Sequence, residues 1–210
     1  MKKLLLIKAS PRRESSDSFR LAQHFSMQLQ IDNDWQFDEL DLWREQLPAF
    51  DDIAVSAKLA KFGHQSLNPE QAKIWEQIEQ HFQRFNQADI IVLALPVWNF
   101  GVPYVLKHYI DTITQPQLCF SWSPEHGYSS LLAPKPAIVI ASAASDYRPY
   151  AGNDENDFCI NYLRRWLNVY MNCQVSTVAV SPTVDHPDTV ASAKQQAYEL
   201  VQKLADKFNK

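Results

Sequence analysis

The chain has 210 residues, of which 46% are apolar, and a formal net charge of −4. This length fits one domain with a sizeable core, and the apolar fraction argues against a disordered chain. The weak negative charge argues against a nucleic-acid partner, because the one basic cluster near a loop of interest, "KASPRR", is too short to follow a polynucleotide.

The N-terminus, "MKKLLLIKAS", predicts a first strand rather than a signal peptide. Its apolar run covers only residues 4–7, and no small-residue cleavage site follows it. No apolar run in the chain approaches the roughly 18 residues of a membrane span. The three cysteines form no C-x-x-C or Cys/His metal motif, so we expect buried free thiols in a cytoplasmic protein without a metal or a membrane partner. They are Cys119, Cys159 and Cys173.

Short apolar runs alternate with helical patterns along the chain. In chain order the patterns predict a strand at 4–7, a helix at 19–29, a strand at 35–43, a short helix at 54–62, a helix from 68 to 85, a strand at 90–95, a helix from 102 to 113 that ends near Pro116, a connection over 116–134, a strand at 135–142, a helix at 158–170, a strand at 173–180 and a helix at 190–208. Asn68 is the expected N-cap of the third helix, with Pro69 at its first position.

Strands that are apolar on both faces and separated by helix-length crossovers indicate a parallel sheet covered on both sides. Five such strands favour a single α/β domain over residues 1–210, a doubly wound flavodoxin-like sheet of order 2-1-3-4-5. Ligands of such sheets bind beyond the carboxyl ends of the strands, where the order reverses. The candidate site therefore consists of the three loops that begin at Ser10, Pro96 and Ser142.

The first of these loops, "SPRRESSDSF", places Ser10, Ser16, Asp17 and Ser18 around the start of a predicted helix. Free N–H groups and the helix dipole favour an anion such as phosphate there. The simpler alternative is an ordinary N-cap in a polar turn. A dinucleotide fingerprint and a P-loop are both absent from the sequence. The side chain of Asp17 would have to point away from a bound phosphate, or only its N–H would take part.

The second loop lies in "LPVWNFGVP". Its two prolines restrict the backbone over residues 96–103, and Gly101 permits unusual dihedral angles. The N–H groups of this stiff segment can point at a flat ring with polar edges. Trp98 can supply an apolar wall, and Asn99 a donor and an acceptor. Alternatively, Trp98 and Phe100 are core residues and Asn99 is an ordinary turn residue.

These features resemble the FMN-dependent NADH:quinone and azo-compound oxidoreductases, the bacterial azoreductases. The likeness extends from the serine-rich loop through "PVWNFGVPYVLKHYID" to the "KPAIVIAS" strand and the two closing helices. The family pattern is P-[MLV]-[YW]-N-F-x-[IVL]-P, followed by a helix with Leu-Lys-x-Tyr/Phe-[IVF]-Asp. The residues that match it are Pro96, Trp98, Asn99, Phe100, Pro103, Leu106, Lys107, Tyr109 and Asp111.

The resemblance implies a cofactor site for FMN made of all three loops. Its phosphate would lie on Ser10, Ser16, Asp17 and Ser18, and its flavin ring on Pro96, Val97, Trp98, Asn99 and Phe100. The third loop would contact the ring with Ser142, Ala143, Ala144 and Ser145. The family usually has Ser-x-Gly-Gly there, so alanine fits only if the loop's dihedral angles suit a residue with a Cβ atom.

The resemblance also implies a homodimer with two flavin sites at the interface. Phe120 and Trp122 would then lie where the family places aromatic residues over the flavin, and Trp166 would reach across from the partner subunit. Each of the three could equally pack in the core or between subunits. The stripe formed by Tyr162, Trp166 and Tyr170 also suggests a subunit interface.

The expected activity is two-electron transfer from NADH or NADPH to a quinone or azo compound by a ping-pong mechanism. No nucleophile–base pair stands out among the scattered histidines, which suits an enzyme whose cofactor carries the chemistry. Two alternatives are a flavodoxin-like electron-transfer protein and a binding module without a cofactor.

Overall fold

The structure is a computed structural model that describes residues 1–30, 35–147 and 157–209. The strands in this part of the chain are β1 Lys2–Lys8, β2 Trp35–Asp41, β3 Ile90–Pro96, β4 Phe120–Ser123, β5 Gly127–Ser130, β6 Lys135–Ser142 and β7 Cys173–Val180. The α-helices are α1 Asp17–Gln30, α2 Asp52–Phe62, α3 Pro69–Asn86, α4 Tyr104–Ile113, α5 Ile160–Val169 and α6 Pro187–Phe208.

Five strands form a parallel sheet in the order β2-β1-β3-β6-β7. This is the predicted order 2-1-3-4-5, so the expected flavodoxin-like topology is confirmed. The register places Lys8 opposite both Asp41 and Ala94, which makes the carboxyl ends of β1, β2 and β3 nearly level. The loops that follow these strands therefore begin side by side at one edge of the sheet.

The alternating side chains of the sheet divide the core into two layers. Leu5 and Ile7 of β1 belong to a cluster with residues of α3, α4 and α5, whereas Leu4 and Leu6 belong to a cluster with residues of α1 and α6. All four are buried. Both faces of β1 are thus covered, which explains why its sequence is an unbroken apolar run.

The helix boundaries follow local capping chemistry. Asn68 accepts a hydrogen bond from the N–H of Gln71, whose side chain accepts one from the N–H of Asn68, so the predicted N-cap of α3 is confirmed as a capping box. The Asp51 carboxylate accepts hydrogen bonds from the N–H groups of Ile53 and Ala54 and begins α2. The short helix expected at 54–62 therefore starts two residues earlier.

The second strand is shorter than predicted. It ends at Asp41, whose side chain accepts a hydrogen bond from the N–H of Trp43 and whose carbonyl accepts from the N–H groups of Arg44 and Glu45. An aspartate that bonds the backbone two residues on turns the chain. Trp43, predicted as a strand residue, is therefore in a turn at the carboxyl edge of the sheet.

The connection predicted at 116–134 contains an antiparallel hairpin of β4 and β5. Phe120 of β4 is buried, and its ring centroid is 5.4 Å from that of Tyr128 and 5.1 Å from that of Tyr170. The hairpin thus closes over an aromatic cluster that extends to the end of α5.

All three cysteines are free and buried, as expected. Burial raises the pKa of each thiol to about 12, so the thiols stay protonated at neutral pH. Over the residues that the structure describes, no helix has both the length and the apolar character to span a bilayer.

Candidate functional site

The first loop, residues 9–18, brings three buried hydroxyl groups to the start of α1. Ser10, Ser16 and Ser18 are all buried. The Oγ atoms of Ser16 and Ser18 are 3.0 Å apart, and Ser16 Oγ accepts a long hydrogen bond from the N–H of Phe19. Ser16 therefore has the position of an N-cap, but capping needs only one of the three residues. The other buried hydroxyls, together with the unpaired first-turn amides of a helix, form a donor set suited to phosphate.

Asp17 does not leave an unpaired negative charge at this helix start. Its carboxylate lies 2.8 Å from Lys194 Nζ on α6. The ion pair turns the side chain toward α6 and offsets its repulsion of an anion.

A small cavity of about 70 Å³ opens beside Ser10. Three cationic and two acidic side chains line it, and Lys8 is also paired with Glu39 at 2.7 Å, so its charge is nearly balanced. The charged residues that line it are Lys8, Arg13, Glu14, Asp41 and Arg44.

The aromatic turn, residues 97–101, is a miniature hairpin. The N–H of Trp98 donates to the carbonyl of Gly101 at 3.0 Å, and the N–H of Gly101 donates back at 2.8 Å. Asn99 and Phe100 have φ angles of 48° and 66°, the signs found in a type I′ turn. Gly101 was expected to adopt the unusual dihedral angle, but the two residues before it do so. The unfavourable backbone conformation thus falls on Phe100, a bulky residue that disfavours positive φ.

This geometry limits which amides of the turn can reach a ligand. The N–H of Val97 continues the β3–β6 pairing by donating to Ser142, and that of Trp98 closes the turn. Only the amides of Asn99 and Phe100 have no protein acceptor among the residues that the structure describes. The expectation that the whole segment offers N–H groups is therefore wrong for Val97 and Trp98.

The third loop is fastened to the segment that follows β7. Ala143 donates from its N–H to Val180, and its carbonyl accepts from both the N–H and the Oγ1 of Thr183. Among the described residues, those with positive φ do not include Ser142, Ala143, Ala144 or Ser145. The Cβ atoms of the two alanines are therefore compatible with the loop's backbone.

The three aromatic residues expected to stack on a substrate have different environments. Trp166 is only 3% exposed, and its Nε1–H donates to Thr114 Oγ1 at 2.9 Å within its own subunit. Phe120, the first residue of β4, is 5% exposed, and its ring packs against those of Tyr128 and Tyr170. Within a single subunit both side chains are buried, the alternative that the sequence left open, and their stacking on a substrate stays a prediction. Trp122 is 46% exposed and lies near Phe62 of α2.

Trp43 is an aromatic neighbour of the site that sequence reasoning missed. Its ring centroid lies 6.0 Å from that of Trp98 and 5.3 Å from that of Tyr104, and its Nε1–H donates to the carbonyl of Ala9 at 3.0 Å. The alternating pattern of residues 35–43 predicted a strand residue here. The signal that could have revealed the turn is Asp41, a residue typical of turns.

The arrangement suits a ligand with a phosphate at one end and a flat ring at the other. The first loop supplies buried hydroxyls, and the aromatic turn presents Trp98 and Phe100, which are 38% and 70% exposed. Across the described residues, no cluster of histidine, cysteine and acidic side chains could hold a metal ion.

Comparison with known proteins gives a family from the sequence and a matching fold from solved structures. A family model described as a flavodoxin-like fold matches residues 2–204. An FMN-dependent NADH:quinone oxidoreductase of Ruegeria pomeroyi is 39% identical over 88% of this chain and 91% of that protein. FMN-dependent NADH:quinone oxidoreductase 1 of Bradyrhizobium diazoefficiens is 33% identical over 99% of this chain and 100% of that protein.

Two solved structures extend the likeness to the fold. Azoreductase from Bacillus anthracis str. Sterne superposes with a TM-score of 0.85 at 23% identity, covering 99% of this chain and 100% of that one. An FMN-dependent NADH-azoreductase from Bacillus anthracis str. Ames Ancestor in complex with FMN gives a TM-score of 0.78 at 25% identity, with 98% and 100% coverage.

Proposed function

Because this chain belongs to the flavodoxin-like family of FMN-dependent NADH:quinone oxidoreductases, we propose that it transfers two electrons from NADH to a quinone or azo compound. The observation that carries this proposal is that the buried serine hydroxyls of the first loop and the exposed aromatic turn meet at one edge of the sheet. Neither feature alone would distinguish a cofactor site from a capped helix or a surface turn.

We propose that FMN is held at both of its ends. Ser10, Ser16 and Ser18 and the first amides of α1 would bind its phosphate, while Trp98 and the free amides of Asn99 and Phe100 would meet its ring. Bound FMN supplies the redox chemistry, since flavins accept a hydride from a nicotinamide and pass electrons to a second substrate. The protein contributes position and a preformed surface.

The exposure of the turn favours a ping-pong mechanism. Trp98 and Phe100 are open to solvent, so a flavin ring resting on the turn would keep its other face accessible. NADH and the acceptor would stack on that open face in succession. The relatives are named for NADH, and we propose it as the donor in preference to NADPH.

We propose that the protein is a twofold homodimer in the cytoplasm. The outer face of α2 exposes Val55, Leu59 and Phe62, and Trp122 of the hairpin lies next to Phe62. A second copy would cover this apolar surface, which includes the only expected stacking residue that is not buried. Buried free thiols suit a reducing compartment.

The test uses the purified full chain. We expect a yellow protein whose heat-released flavin is FMN by chromatography, and NADH oxidation with menadione or an azo dye as acceptor. Parallel double-reciprocal plots are expected for the ping-pong order. Release of FAD, or a protein that binds no flavin, would overturn the cofactor assignment. Electron transfer to a protein acceptor without NADH oxidation would favour an electron carrier.

A further inference from the structure

We propose that Trp43 is a positioning residue that sets the separation between the first loop and the aromatic turn, so that the two ends of FMN bind cooperatively. This inference rests on the proposed function, because it assumes that FMN spans both loops. Trp43 comes from neither loop and follows β2, the edge strand next to β1.

The contact of Trp43 with the first loop is a hydrogen bond to the backbone. Its Nε1–H donates to the carbonyl of Ala9 at 3.0 Å. Ala9 is buried, its own N–H donates to Ala94 of β3, and it immediately precedes Ser10. The indole therefore orients the peptide group between Ala9 and Ser10, and Ser10 is the first residue expected to bind the phosphate.

The contact of Trp43 with the aromatic turn is made by ring packing. Its ring meets that of Trp98 at an interplanar angle of 62° and that of Tyr104 at 81°, both edge-on. Trp98 begins a turn closed by only two backbone hydrogen bonds, and Tyr104 begins α4. Trp43 thus packs against the turn and the helix that follows it.

The segment that carries Trp43 is itself anchored. Glu45 lies 3.3 Å from Arg84 of α3, and the Pro48 carbonyl lies 2.9 Å from His108 Nε2 of α4. These contacts hold the backbone on the C-terminal side of Trp43. The indole can therefore act as a fixed spacer between the two loops.

A fixed spacing matters because one FMN molecule would bind the first loop and the aromatic turn at the same time. Once the ring is bound, the phosphate encounters its loop at a high effective concentration only if the loops already have the correct separation. Riboflavin shares the ring and lacks the phosphate. The ratio of riboflavin Kd to FMN Kd therefore measures how well the two loops cooperate.

The experiment compares flavin binding by the wild-type chain and by Trp43→Phe, each freed of flavin, using quenching of flavin fluorescence. Phenylalanine keeps an apolar ring and removes the indole hydrogen bond to Ala9. We expect the Kd ratio to fall about threefold to tenfold, the effect of one hydrogen bond. Trp43→Tyr, a second variant whose six-membered ring carries a hydroxyl group and lacks the indole N–H, should lower the ratio in the same direction.

Trp75→Phe is the matched control. Trp75 is buried on α3, and its Nε1–H donates to Glu79 at 2.7 Å, so the substitution removes an indole hydrogen bond away from the candidate site. It should lower the melting temperature and leave the Kd ratio unchanged. A wild-type ratio in both Trp43 variants would overturn the positioning role, whatever their melting temperatures. A wild-type chain that binds neither flavin would instead overturn the proposed function.

Discussion

Trp98 and Asn99 are neighbours in the chain but offer a cofactor different interactions. Trp98 offers contact area, so Trp98→Ala should weaken FMN binding by about 1–3 kcal/mol. Asn99 offers polar groups at the edge of a ring, worth about 0.5–1.5 kcal/mol. Asn99 has a φ of 48°, which glycine adopts without strain. Asn99→Gly therefore removes the side chain and still allows the turn to form.

The melting temperatures of both variants with and without FMN test this difference. A smaller FMN-induced increase for Trp98→Ala than for Asn99→Gly is expected, and Asn99→Gly should also shift the flavin reduction potential. If both variants show the wild-type increase, the turn is only a scaffold and the assignment of the ring to it is wrong.

Phe100 combines an unfavourable backbone conformation with an exposed side chain. At a φ of 66°, a residue with a Cβ atom is less stable than glycine by about 1–2 kcal/mol, although glycine loses part of this advantage in the unfolded chain. We therefore expect Phe100→Gly to be about 1 kcal/mol more stable than Phe100→Ala in urea unfolding. Both variants lose the ring, so both should bind FMN less well than the wild type. Equal stabilities would mean that the turn rearranges once the ring is removed.

At the scale of elements, α3 is fastened to β2 by one guanidinium group. Arg84 donates through Nε and one terminal nitrogen to the two carboxylate oxygens of Asp38, at 3.0 and 2.7 Å. Hydrogen bonding from Arg84 is the main cause that lowers the pKa of Asp38 below 3.8. The pair therefore stabilises the fold at pH values above the ordinary pKa of an aspartate. This contribution is lost as the pH falls through the lowered pKa of Asp38.

Asp38→Asn removes the charge with little change of shape. It should lower the free energy of unfolding by about 1.5–3 kcal/mol at pH 7, the range for hydrogen bonds to charged groups. The difference from the wild type should shrink as the pH falls below the ordinary aspartate pKa, as followed by urea unfolding at several pH values. Asp206→Asn, at an exposed position of α6, is the matched control and should change little at any pH. A deficit that stays constant into the acid range would contradict the role of the ion pair.

An element could be predicted when its own residues form a recognisable local pattern, and it was missed when they do not. The bounds 135–142 and 173–180 match β6 and β7, because β6 carries a local apolar run and β7 carries three valines and a threonine in eight residues. The β4–β5 hairpin escaped prediction because its four-residue strands, "FSWS" and "GYSS", are rich in serine and have little apolar pattern. Trp166 was placed near the site by the family resemblance, whereas periodicity identifies a buried stripe but not whether it packs in the core or against a second subunit.

The same distinction applies to the candidate site. The general rule for parallel sheets located its three loops, because the carboxyl ends of β1, β3 and β6 lie at one edge whatever the side chains are. The packing of Trp43 against Trp98, in contrast, depends on contacts between distant segments. Such contacts leave no local pattern in the sequence.

At the scale of the whole molecule, the assembly can be tested on the outer face of α2. Leu59 is 65% exposed there, and a second copy would bury it. Light scattering at micromolar concentration should give a dimer for the wild type and a larger fraction of monomer for Leu59→Lys. Leu200→Lys, the same change at an exposed position of α6, should leave the dimer intact. A monomeric wild type would contradict the proposed assembly, and dimeric Leu59→Lys would place the interface elsewhere.

The edge-on pair of Trp43 and Trp98 has an optical consequence. Two indole chromophores 6.0 Å apart and inclined by 62° couple their electronic transitions, and coupled transitions in a chiral arrangement produce a paired positive and negative band in ultraviolet circular dichroism. The chain has six tryptophans, but such a signal requires close neighbours. A flavin that settles against Trp98 would add a third absorber to the pair. The amplitude of this paired band therefore reports the distance between Trp43, in the turn after β2, and Trp98, in the turn after β3.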